Sequence, residues 1–287
     1  MRKTIIAAAL CGTAVALASP ADADSSNDFW TNALSSLNDW LLGPTVAGAS
    51  SSAGDSLGSV DADTGGDFLS GSDHAFILGP TGIPTPNAFY INDAENLYLN
   101  PNGYEGNAFT TLALTTPETN DFDTSVPQGE AILINAIEAD YNAGDMGCDA
   151  SGVCSDPLTI FTYSQSSAVA ALAEQQLSAD KIPDDALRFV MLGANPTGVP
   201  NDLFPTEIYN IHGDSFAEPG VLGTSWQDII FGAELHEAYL GLTQAQIDSA
   251  TTTVEGLTTI HEIPTLTSME LWTALLSAMD AGSFMTS

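Results

Sequence analysis

Residues 158–172 read Leu158-Thr-Ile-Phe-Thr-Tyr-Ser-Gln-Ser-Ser-Ala-Val-Ala-Ala-Leu172. The run up to Tyr163 is apolar, β-branched and aromatic, which is the composition of a buried strand. Past Ser164 the composition switches to small, Ala-rich residues that favour a helix. A strand that meets a helix across one serine is the pattern of a nucleophile elbow. Such a turn lifts the serine hydroxyl clear of the sheet and aims the next amides, starting with that of Gln165, at one point where an oxyanion can form. The usual form is Gly-x-Ser-x-Gly, and here Thr162 and Ser166 stand at the glycine positions. Small residues are wanted there because strand and helix backbones approach closely around a strained serine. The residues alone leave two readings of Ser164 open: a nucleophile, or an ordinary helix N-cap.

The flanking sequence repeats the strand–helix alternation. HAFILG (74–79) is a short buried-strand run that ends in the turn GPTGIPTP (79–86), and FTTLALTTP (109–117) alternates as a strand does. GEAILINAIEADYNAG (129–144) has apolar residues at helical spacing, including Ile132, Ile134, Ala136, Ile137 and Tyr141. A helix over 166–180, strands LRFVMLG (187–193) and EIYNIHG (207–213), and a final helix from Ser268 follow. That last helix is expected to place Met269, Trp272, Leu275, Leu276 and Met279 on one face, for core or lid packing. Alternating helices and strands apolar on both faces predict an α/β fold with a central, mostly parallel sheet flanked by helices.

Composition bounds the function. The chain has 287 residues, with 37 acidic side chains against 4 basic ones. Arg2 and Lys3 open it, Thr4 to Ala18 is apolar, and Ala21-Asp22-Ala23 supplies a small-x-small site, so residues 1–23 read as a cleaved secretory signal peptide. That stretch is too short for a stable membrane span. Export to the cell envelope or beyond is the expectation. Lys181 and Arg188 are then the only basic side chains left, which excludes nucleic acid and disfavours anionic surfaces or phosphorylated substrates. Residues 24–70 are rich in Ser, Gly and Asp, interrupted by a short amphipathic helix carrying Phe29, Trp30, Leu34, Leu37, Trp40 and Leu41. Cys148 and Cys154, in CDASGVC, predict a local disulfide in an exported protein. No further Cys or His stands near them to complete a metal site, and no nucleotide or flavin motif implies a cofactor.

Four landmarks in order carry a resemblance. TYSQSSAVA (162–170) resembles the GYSQSA elbow of the PE-PPE domain family, mycobacterial serine hydrolases related in fold to cutinases. GPTGIPTPNAFY (79–90), LRFVMLGANPTGVPND (187–202) and HEIPTLTSMEL (261–271) resemble that family's GGTGxPxPxxxY, FVLLGdPxxPnGG and YxIPTxxLPLL segments. The resemblance implies an α/β-hydrolase domain over residues 71–287, acting on an acyl ester or lipid without a cofactor or metal.

Ester chemistry needs a base for the serine proton, a carboxylate that orients the base, and oxyanion donors. The α/β-hydrolase chain order of Ser, acid, His excludes His74. Asp214 follows the strand EIYNIH, where such folds place active groups, and GDSFAEP (213–219) resembles the family's YDGxADFP segment with its catalytic Asp second. Glu218 and Asp228 are rivals. His236, in ELHEAYLGL (234–242), resembles the family's xxHxxY base, with His261 as the alternative. Thr81, in the GPTG turn, is the expected second oxyanion donor beside Gln165, since related cutinase-like sites carry a hydroxyl residue there. A carboxylesterase for short- to medium-chain acyl esters is the leading reading. An acyltransferase of envelope glycolipids and a non-catalytic envelope module are the alternatives.

Overall fold

The computed structural model describes residues 67–280. The signal-peptide reading and the amphipathic segment at 29–41 lie outside the described residues. Among the described residues no helix is long and apolar enough to cross a membrane.

Seven strands form one sheet in the order β2-β1-β3-β4-β5-β7-β6. They are β1 (Ala75–Ile77), β2 (Thr111–Ala113), β3 (Leu158–Tyr163), β4 (Leu187–Leu192), β5 (Thr206–Ile211), β6 (Thr251–Glu255) and β7 (Thr258–Ile263). All neighbours pair in parallel except β6, which runs antiparallel to β7 at the edge. The main helices are α1 (Ala88–Ala94), α2 (Phe122–Ala143), α3 (Gln165–Ala179), α4 (Trp226–His236) and α5 (Ser268–Asp280).

The strand period of two sorts the core into two layers. Phe161, Tyr163, Val190 and Leu192 face one side, where Tyr90, Tyr98, Tyr239 and Leu271 pack. Leu158, Ile160, Phe189 and Met191 face the other, against Val126, Leu133, Val169 and Leu177 of α2 and α3. Every residue of β3 and β5 is buried, as a central parallel strand requires. Cys148 and Cys154 form the expected disulfide across a short turn.

The final helix corrects one expectation. Its buried face is Leu271, Ala274, Leu275 and Ala278, while Met269, Leu276 and Met279 are exposed. The reason is close approach. A Cβ on Gly241 would lie 1.8 Å from the Ala274 carbonyl oxygen, so glycine against alanine sets the contact and larger side chains are turned away.

Candidate active site

Ser164 joins β3 to α3 with φ 60° and ψ −119°, a conformation rare for a residue with a side chain. Holding it there costs roughly 1–3 kcal/mol, which the surrounding hydrogen bonds must offset. Those bonds come from the residues that replaced the two glycines. The Thr162 hydroxyl lies 3.1 Å from that of Ser167, which donates to the Leu192 carbonyl at 3.2 Å. The Ser166 hydroxyl accepts the Tyr163 amide at 2.9 Å and donates back to its carbonyl at 3.0 Å. The elbow is thus closed by hydroxyls where small size alone would ordinarily serve. Although Ser164 sits at the N-cap position, its side chain makes no capping bond; its Oγ lies 2.7 Å from His236 Nε2.

His236 ends α4, and its Nδ1 lies 2.7 Å from Asp214 Oδ2. Asp214 occupies the turn after β5, is fully buried, and receives the Phe216 and Ala217 amides on Oδ1 at 2.8 and 3.3 Å. Oδ2 also accepts the Tyr239 hydroxyl at 2.7 Å. Both oxygens of this buried carboxyl are thus engaged by donors, two amides on one and the phenol and imidazole on the other. The imidazole itself feels opposing influences. Burial disfavours its cation, but the charge and hydrogen bond of Asp214, with Glu237 adding, hold it above the usual histidine range. Burial pushes Glu237 up to about 7, the His236 cation opposing the rise.

Opposite the elbow, Thr81 lies in the turn after β1, and its hydroxyl donates to the Gln165 side-chain oxygen at 2.8 Å. The Gln165 amide group donates to Ser125 Oγ at 2.6 Å, which also accepts the Thr119 amide at 3.0 Å. The Gly82 amide in turn donates to the Glu118 carbonyl at 2.6 Å. These bonds close a ring through Thr81, Gln165, Ser125 and residues 118–119, which fixes the turn beside Ser164. Glu118 itself has φ 44° and lies buried, and burial pushes its carboxyl up to about 7 despite a bond from Thr116.

A small cleft opens over Ser164 and His236. Ala168 and Ala171 of α3, Ala194 and Val199 beyond β4, and Phe216 beyond β5 give it an apolar wall. Gly193 lines it too, and a Cβ there would lie 2.7 Å from His236 Cε1.

The structure brings Ser164, His236, Asp214, Gln165 and Thr81 to one place at the C-terminal edge of the parallel strands. It separates them from the rivals. His261, on β7, stacks on the Tyr209 ring at 4.3 Å. Glu218 accepts the Gly213 amide and lies 3.3 Å from His212, and Asp228 caps α4 in a reciprocal box with Ser225. His212, half-exposed, sits between Glu218 and Glu262 and does not reach Ser164. His74 lies at the opposite end of the sheet beside Asp73 and Asp156. Ser125 and Gly193 carried no signal in the sequence, and Tyr239 stood there only as the Tyr of the xxHxxY resemblance, with no role attached. It lies three residues past His236, just beyond the end of α4.

A mostly parallel sheet with a strand–serine–helix elbow at its C-terminal edge defines an α/β-hydrolase fold. Residues 82–213 match the PE-PPE domain. The chain therefore carries a domain of the PE-PPE family. It is 30% identical to an uncharacterised PPE family protein, PPE28 of Mycobacterium tuberculosis, over 209 residues, which is 61% of this chain and 30% of that protein. It is 27% identical to the esterase PE16 of the same organism over 266 residues, covering 80% of this chain and 47% of that protein. The chain thus spans less than half the length of either relative.

Proposed function

We propose that this chain is a serine esterase in which His236 deprotonates Ser164 and Asp214 orients the imidazole. The observation that carries the reading is the unbroken relay, Ser164 Oγ to His236 Nε2 at 2.7 Å and His236 Nδ1 to Asp214 Oδ2 at 2.7 Å. The relative named an esterase supports it.

In this reading the Ser164 oxygen attacks an ester carbonyl as its proton passes to Nε2. The amides of Gln165 and Thr81 hold the oxyanion, and the Thr81 hydroxyl stays engaged with the Gln165 side chain. The imidazolium then protonates the departing alcohol. Water, deprotonated by the same nitrogen, releases the acid from Ser164. The apolar wall of Ala168, Ala171 and Phe216 suits an acyl chain. A net charge of −33 favours a neutral substrate over an anionic one. Export through residues 1–23 belongs to the same proposal, and the Cys148–Cys154 disulfide supports it, because such bonds persist in oxidising compartments.

The test is labelling by a fluorophosphonate probe with the modified residue mapped by mass spectrometry, alongside turnover of p-nitrophenyl butyrate. Label on Ser164, and loss of both labelling and turnover in a folded Ser164→Ala protein, is the expected result. A parent protein that neither labels nor turns over ester would overturn the proposal.

A further inference from the structure

We propose that Tyr239 is a positioning residue that sets the direction of the proton relay, fixing which nitrogen of His236 faces Ser164; this rests on the triad proposed above. The argument is one of donors and acceptors. The Ile211 amide, which can only donate, gives its hydrogen to the Tyr239 oxygen at 2.9 Å. The single proton of that phenol therefore points at its other neighbour, Asp214 Oδ2, at 2.7 Å. Oδ2 accepts it while two amides occupy Oδ1, and with donors on both oxygens the carboxyl is set up to accept from His236 as well, so the Nδ1 atom 2.7 Å away is the one that carries hydrogen. Nε2 is left with its lone pair toward Ser164 Oγ. One backbone N–H thus dictates, through three further links, that the serine is the donor at the end of the chain.

The local structure holds Tyr239 to this task. It is fully buried, and its carbonyl accepts the Tyr98 hydroxyl at 2.8 Å. The Tyr163 hydroxyl bonds the carbonyl of His236 on the same turn. The base and the phenol that anchors its acid are therefore carried by one short segment, and the carbonyls of both residues are tied down by tyrosines from other elements. Burial first, and then the Asp214 charge, raise the Tyr239 phenol well above its ordinary range, so it stays protonated.

The titratable groups facing the Asp214–His236 pair are Glu237 on the same turn, Tyr163 on β3 and Tyr239, with Tyr98 behind them. Removing the Tyr239 hydroxyl leaves more negative charge on Oδ2 for the imidazolium, so the acid limb of kcat/KM moves to higher pH. In the full chain, Tyr239→Phe is expected to lower kcat about tenfold with KM little changed, as loss of one charge-assisted bond would. The limb should rise by roughly half to one pH unit. Tyr104→Phe removes a buried hydroxyl from the same core layer, one that bonds Thr111 and neither Tyr239 nor Asp214, and should leave the limb in place. Glu237→Gln combined with Tyr239→Phe should retain the shift. If Tyr239→Phe does not fold, 3-fluorotyrosine placed at 239 alone keeps the bond with a more acidic donor, and should move the limb to lower pH. With the parent active and labelled at Ser164, a limb unmoved by either substitution would overturn the role of Tyr239. A parent lacking label and turnover would instead remove the triad itself.

Discussion

Gly193 offers the sharpest perturbation of the base without touching any member of the relay. It ends β4 with φ +60°, and an added Cβ would stand 2.7 Å from His236 Cε1, 2.9 Å from Nδ1 and 3.3 Å from Asp214 Oδ2. An ordinary contact begins near 3.4 Å, so in Gly193→Ala the ring must retreat by about 0.7 Å. Misplacement of a reacting group by about 1 Å costs on the order of 100-fold in rate, which here means roughly 2 to 3 kcal/mol of barrier. The left-handed backbone adds about 1 kcal/mol of destabilisation, far too little to unfold a domain of this size. The assay is paired: kcat/KM on p-nitrophenyl butyrate, and the melting temperature of the same preparation. Activity should fall between tenfold and several hundredfold while melting drops by only a few degrees. A folded variant with undiminished kcat/KM would refute both the crowding and the claim that this imidazole takes the serine proton.

Two predictions concern pH. Because Asp214 and Glu237 outweigh burial and hold His236 above its usual range, the neutral base appears only at higher pH, and kcat/KM should climb through neutrality to an alkaline plateau. A profile falling from pH 6 to 8 would count against His236. Glu118 affects stability instead: burial lifts it from 4.5 to about 7, so its folded pKa exceeds its unfolded one. Its contribution is present below pH ~4.5 and is lost as pH rises through about 7, a swing of about 3 kcal/mol. Glu118→Gln should raise the melting temperature at pH 8 by about 5 °C and leave pH 4.5 little changed. Equal shifts at both pH values would show that ionisation is not the cause.

The central strands and the elbow were legible because each carries its own local signal. LTIFTY and LRFVML are apolar on both faces, and burial on both faces is what β3 and β4 have. Helix α2 was legible only from Gly129, although it begins at Phe122, because its first turns are polar and contain Pro127. The β6–β7 hairpin was missed. Its first strand is a threonine-rich edge with every residue exposed, so it shows no apolar alternation, and Gly256 at φ +62° was its one turn signal. The outward face of α5 was misassigned because apolar spacing reports amphipathicity and does not say which neighbour is close; Gly241 decided that. Asp214 and His236 could be ranked from chain order and local segments, yet their hydrogen-bond partners Tyr239, Phe216 and Ala217 depend on a turn geometry that no period encodes.

Ser167 belongs at once to the serine turn and to the cleft above it: its hydroxyl meets Thr162 and Leu192, and the residue also lines the opening beside Ala168. The hydroxyl at 162 is therefore tied to the shape of the opening over Ser164. With Gly at 162 the Ser167 hydroxyl would keep its bond to the Leu192 carbonyl but lose its other partner, so the turn and one side of the opening would slacken together.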